Sequence, residues 1–67
     1  MKHVIAKGIY FGYIIGRTDA KRLSVVVMRA DVLKGGDPCL IDRVISAGRD
    51  EVRPATEEDY EHFMIAL

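Results

Sequence analysis

Apolar residues in this chain cluster in runs whose spacing changes from one segment to the next. Residues 4–6, 9–15 and 23–30 are rich in Val, Ile, Tyr and Phe, and they are broken by Gly8, Gly16 and the polar stretch 17–22. β-branched and aromatic runs bounded by turn-forming residues predict three strands. Thr18 and Asp19 suit a tight turn between two arms of similar length, so the second and third strands form an antiparallel hairpin. Side chains alternate across a strand. In the first arm Ile9, Phe11, Tyr13 and Ile15 therefore oppose Tyr10 and Ile14. In the second arm Leu23, Val25 and Val27 oppose Val26, Met28 and Ala30. Both faces are apolar. A half-solvated antiparallel sheet would alternate apolar with polar positions, so this hairpin needs cover on two sides.

Past the hairpin the period lengthens. Residues 38–47 predict a short helix: Asp37 is an N-cap, Pro38 stands at the first helical position, Leu40, Ile41, Val44 and Ile45 form one stripe, and Gly48 is a stop. The β-branched content of that stripe keeps a strand open. Val52 and Arg53 precede Pro54, which disfavours the α region before it and limits them to a short extended piece. The clearest helix signal is the last. Thr56 is a cap, Glu57, Glu58 and Asp59 fill the positive first turn, and Tyr60, Phe63, Met64 and Leu67 recur at i, i+3, i+4 and i+7 as core positions. All five aromatic residues lie in the first hairpin arm or in this helix, which predicts that the helix packs across that arm.

With 67 residues the chain forms one small domain, 1–67, that buries only about 60% of the surface exposed on unfolding. Gly35 and Gly36 mark a flexible point without dividing it. A lone cysteine, Cys39, excludes a disulfide framework and reads as a buried thiol in a reducing compartment, so a cytoplasmic location is expected. The longest mostly apolar run spans seven residues, far short of a membrane helix, and no secretory signal stands at the start. Net charge is zero, yet its placement is uneven. Residues 1–34 hold seven cations and two anions, whereas residues 35–67 hold three cations and eight anions. The halves should attract each other, within the fold or across a dimer.

Little in the chain points to catalysis. His3, His62 and Cys39 stand far apart, without the spacing of a metal site or of a nucleophile beside its base. Glu58 and His62, one helical turn apart, offer at most one edge of a site. The loop Lys34-Gly35-Gly36-Asp37 is too short to cradle a phosphate. The sequence therefore points away from an enzyme and calls for no cofactor, metal or small-molecule substrate. Arg17, Lys21 and Arg22 on the hairpin tip, with Tyr10, Tyr13 and Arg29 on its strands, are the candidate contact residues. They make a nucleic-acid-binding module the alternative reading, but the sequence pI of about 6.7 gives no strong long-range attraction to phosphate.

The ending Val52-Arg53-Pro54-Ala55-Thr56-Glu57-Glu58-Asp59, preceded by a hairpin such as residues 12–29, resembles the last short strand and helical turn that close some SH3-like small β-barrels. The likeness covers under half of the chain. It implies a partly closed barrel with protein or nucleic-acid contacts and seldom catalysis, and no functional residue carries over. The expected fold is α+β: a small, strongly twisted antiparallel sheet of three to four strands with a C-terminal helix. The expected function follows from the second apolar face. It is a non-catalytic protein-interaction module, either an accessory or regulatory subunit or a small inhibitor of a host protein complex of the kind phages encode, bound to a protein partner or paired as a homodimer.

Overall fold

A computed structural model describes residues 2–65. Five strands form one antiparallel sheet: β1 (His3–Ala6), β2 (Tyr10–Asp19), β3 (Arg22–Ala30), β4 (Val44–Gly48) and β5 (Val52–Pro54). Their spatial order is β4-β3-β2-β1-β5, so β1 to β4 run as a meander and β5 returns to the free side of β1. The sheet is open, with β4 and β5 at its two edges. One helix, α1 (Glu57–His62), follows β5, and single 3-10 turns occupy Val32–Lys34, Pro38–Leu40 and Arg49–Glu51.

Turn chemistry fixes the two hairpins. Lys7 and Gly8 both adopt positive φ, at 57° and 73°, while the Ile9 N–H donates to the Ala6 carbonyl at 3.2 Å. Two left-handed central residues give the turn whose twist matches that of its strands, and Gly8 takes this conformation without a Cβ penalty. At the other tip, Asp19 Oδ1 accepts from the backbone N–H groups of Lys21 and Arg22 at 2.8 and 3.1 Å, a turn closed by a side chain. Register shifts between Phe11 and Gly12, Ile14 and Gly16, and Arg17 and Asp19 mark bulges that deepen the twist. Gly12 is required by close approach, because a Cβ there would lie 1.8 Å from the Val26 carbonyl oxygen.

Two apolar layers result. On one face Val4, Ala6, Tyr10, Leu23, Val25, Val27 and Ala47 form the main core, bordered by Ile9, Leu40, Ile41, Ile45 and Val52. The Tyr10 hydroxyl stays satisfied inside it by accepting from the Asp37 N–H at 2.9 Å. On the opposite face Ile5 and Phe11 are buried under α1. Phe11 lies 5.2 Å from Tyr60 and 5.4 Å from Phe63, ring centre to ring centre, so the helix does cross the first hairpin arm as expected.

Four expectations are corrected. Residues 38–47 are not a helix. Asp37 caps the turn at Pro38 by accepting from the Cys39 N–H, but the turn ends after Leu40, Asp42 takes a left-handed φ of 68°, and the chain becomes β4. The physical reason is the exposed side of β3. Val44, Ile45 and Ala47 pair with Val26, Val25 and Leu23, and this burial of Ala47 and Ile45 outweighs a one-sided helical stripe. The sheet thus has five strands, not three or four. Cys39 is exposed, since the short turn directs Leu40 inward and leaves Cys39 outside. Met64 is also exposed. The six-residue α1 stops at His62 and Met64 has φ 59°, which turns it away from the stripe. Leu67 lies outside the described residues.

Candidate interaction surface

Strand pairing is staggered along the hairpin. β1 meets β2 only from Tyr10 to Tyr13, whereas β4 meets β3 from Arg22 to Val26. The base of the hairpin is flanked by β1 and β5 and its tip by β4. α1 covers the base alone. Residues directly opposite in neighbouring strands share a face, so the pairs His3↔Tyr13, Tyr13↔Val26 and Val26↔Val44 draw one row across the sheet on the α1 side. At one end of this row His3 Nδ1 and the Tyr60 hydroxyl are hydrogen-bonded at 2.8 Å, and His3 stacks on Phe11. At the other end Val44 is 57% exposed. Ile15, displaced by its bulge, is 55% exposed beside the row.

Beyond the row, toward the tip, the same face turns polar. Ser24 and Ser46 are paired there, and Thr18 Oγ1 meets Ser24 Oγ at 3.3 Å. Arg22 donates from Nε to Ser46 Oγ at 2.8 Å and from Nη2 to the Ser46 carbonyl at 3.0 Å. The backbone of Arg49 continues the ladder by donating to the Lys21 carbonyl at 3.0 Å, and its Nε donates to the Ala20 carbonyl at 2.9 Å. Arg49 therefore joins Arg17, Lys21 and Arg22 around the tip. Asp19, the carboxylate among them, is spent on the turn. The Lys21–Arg49 bonds also fix the parity of β4. Ile45 and Ala47 direct their backbone groups at β3, and those of Val44, Ser46 and Gly48 point outward. Two of the outward groups are taken: the Gly48 N–H donates to Glu51 Oε1 at 2.9 Å, and the Ser46 carbonyl accepts from Arg22.

The six residues singled out in the sequence separate into four sets. Arg17, Lys21 and Arg22 are exposed together at the tip, and Tyr13, half-buried, stands in the apolar row. Tyr10 is buried in the main core and is removed from the candidate surface, because the parity that turns Phe11 toward α1 turns Tyr10 inward. Arg29 is exposed at the far end of β3, away from the tip. Val26, Val44 and Arg49 were missed. Their signal was the strand reading of 44–48, which places Val44 opposite Val26 and Arg49 opposite Lys21.

At the base a second feature stands apart. His62 Nε2 donates to Asp31 Oδ2 at 2.7 Å, with Asp31 buried and His62 exposed, beside a cavity of about 300 Å³ that Arg29, Leu33 and Phe63 also line. The His62 hydrogen bond, opposed by some desolvation, holds the Asp31 carboxyl below its ordinary value. An Asp–His pair can orient a base, yet the cavity lining contains no Ser, Thr or Cys for it to activate. Between β5 and α1, Arg53 grips Asp59 through two bonds of 2.7 and 3.0 Å, and Asp59 also accepts from the Thr56 N–H and hydroxyl. The Arg53 hydrogen bond is the main cause of an Asp59 carboxyl held far below the usual carboxylate range. Among the described residues no cluster of three or more His, Cys, Asp or Glu is placed to hold a metal ion, and no helix is long and apolar enough to cross a membrane. Comparison with family models, curated proteins and solved structures gives no match for this chain.

Proposed function

We propose that this chain is a non-catalytic protein-interaction module, acting as an accessory or regulatory subunit or as a small inhibitor of a larger protein complex. The observation that supports this is the unequal cover of one sheet face. α1 buries Ile5 and Phe11 at the base, while the row Tyr13, Val26 and Val44 runs out from under it to a largely exposed Val44 with Ile15 alongside. Apolar side chains framed by polar and charged ones are the usual make-up of a protein contact. The test compares three immobilised chains as baits: wild type, Val44→Asp and Leu33→Asp, the last placing a charge on a fully exposed residue near the base. A partner retained by wild type and Leu33→Asp and lost by folded Val44→Asp supports the reading. Equal retention by all three refutes it.

Arg49 favours a second reading. With it the tip gathers four cations, a footprint suited to single-stranded nucleic acid with Tyr13 as a stacking surface. That reading requires binding of an oligonucleotide that weakens steeply with salt and disappears on charge reversal of Arg17 and Lys21.

A further inference from the structure

We infer that the cleft at the base, between the 3-10 turn Val32–Lys34 and the end of α1, binds the free C-terminal end of a partner peptide whose last residue is apolar. The cleft is separate from the row that ends at Val44, and the inference does not rest on that row. Asp31 fixes its floor. The Asp31 carbonyl accepts from the N–H groups of Lys34 and Gly36 at 3.1 and 2.8 Å, and the Gly35 N–H donates to the Val32 carbonyl at 3.1 Å. A Cβ on Gly36 would lie 2.9 Å from the Asp31 backbone, so the chain is drawn tight on itself. A turn held this closely has no slack to fold its side chains inward. Val32 and Leu33 therefore stand 57% and 100% exposed, in a place where small or polar residues would serve the turn as well. Leu33 and Phe63 are two walls of the cavity of about 300 Å³, and the slot between them takes the apolar side chain of the ligand.

The third wall supplies the charge. Arg29 pairs with Phe11 across the hairpin, which puts it on the α1 side, where Phe63 packs on Phe11. Its Nη1 donates to the Met28 carbonyl at 3.0 Å, and among the described residues Arg29 enters no ion pair. The carboxylate of the same lining, Asp31, is already held by His62. An arginine fork with unused donors beside an apolar slot is complementary to a carboxylate joined to an apolar group. A chain end is the source that fits, because the space continues. A second cavity of about 290 Å³ shares Asp31, His62 and Phe63 with the first, and Lys34, Arg53 and Glu58 line it too. These mixed charges suit the N–H and C=O groups of the preceding residues. His62, with Nε2 committed to Asp31, keeps Nδ1 to accept one of those N–H groups. A small free acid fills only the first cavity, whereas a peptide end uses both.

An NMR titration of the backbone amides with the peptide acetyl-Gly-Ser-Gly-Leu, its carboxylate free, tests the inference beside the same peptide as a C-terminal amide and N-acetyl-leucine. The free acid should shift the amides of Arg29 to Leu33 and of His62 and Phe63 saturably, with a Kd below about 1 mM. The amide form should bind at least about tenfold more weakly, having lost the charged partner of Arg29. Arg29→Gln should bring the two forms to the same weak affinity, and Leu33→Asp should weaken the acid at least about tenfold, with thermal unfolding confirming that both variants fold. Absent or non-saturating shifts, shifts confined to other residues, or acid and amide bound alike by wild type overturn the inference. So does N-acetyl-leucine bound as tightly as the peptide, since the second cavity then contributes nothing. None of these results touches the interaction-module reading, which is decided by the loss of a partner at Val44→Asp; a partner lost at Leu33→Asp and kept by Val44→Asp belongs to this cleft.

Discussion

Phe11 is the ring at the centre of the apolar contact between α1 and the sheet. It is fully buried, and its ring meets His3 at 5.1 Å, Tyr60 at 5.2 Å and Phe63 at 5.4 Å. Phe11→Ala removes the ring from the centre of that cluster and leaves a cavity that a six-residue helix cannot fill by itself. Phe-to-Ala changes in cores cost about 3 to 5 kcal/mol. A domain of this size has only about 3 to 10 kcal/mol in total. At about 4 to 8 °C per kcal/mol, the expected fall in midpoint is about 12 to 40 °C, and the variant should be substantially unfolded at 37 °C. Urea unfolding followed by circular dichroism gives the free energy, and hydrogen exchange at the Tyr60 and Phe63 amides reports whether α1 loosens first. Ile15→Ala on the same strand is the control, since an exposed side chain should cost under about 1 kcal/mol. A Phe11→Ala midpoint within about 5 °C of wild type would refute the argument that α1 is held by this cluster.

Gly12→Ala should cost more than a Gly-to-Ala change in open strand, because the clash is with the Val26 backbone, which has no rotamer to escape into; chemical denaturation should show a loss above about 2 kcal/mol. Thr56→Ala removes the acceptor for the Asp59 N–H at the start of α1 and should lower stability by about 1 kcal/mol, while Thr56→Ser should restore it. Asp31 and Asp59 are both held below the unfolded value of 3.8, so their contribution is complete above that pH and is lost as pH falls through the folded values. Melting temperature should therefore be level from neutral pH down to about 5 and drop below about 4, and Asp59→Asn should shallow that drop; an undiminished drop would remove Asp59 from the explanation.

What the sequence disclosed depended on whether a signal was local. Strand content in 4–6 and 23–30, the tip turn at Asp19 and the Thr56 cap are written in adjacent residues, and each is formed where it was expected, whereas the first arm starts at Tyr10 and runs on through the polar residues 16–19 that read as loop, leaving only Ala20 and Lys21 between the strands. The start signal at Asp37 and Pro38 is local too, although it opens a single turn and no helix. Residues 44–48 failed because their state is decided at a distance. The stripe Leu40, Ile41, Val44 and Ile45 fits a helix as well as it fits a loop followed by a strand, and only the unpaired side of β3 settles which one buries more. That error hid half of the candidate surface, because Val44 and Arg49 gain their places only through β4. Tyr10 failed for another reason. Both faces of the first arm are apolar, and the pattern contains nothing that says which one the main core takes.

The outward side of β4 is already in use. Val44–Gly48 contains neither Pro nor Lys, yet Arg22 holds the Ser46 carbonyl and Glu51 holds the Gly48 N–H. A new strand arriving at that border would have to strip two charge-assisted bonds before making its own. Growth of the sheet from one molecule into the next is obstructed at this edge. In a concentrated solution the chain should stay clear and bind no amyloid dye, and Arg22→Ala with Glu51→Ala should be the variant that clouds with time.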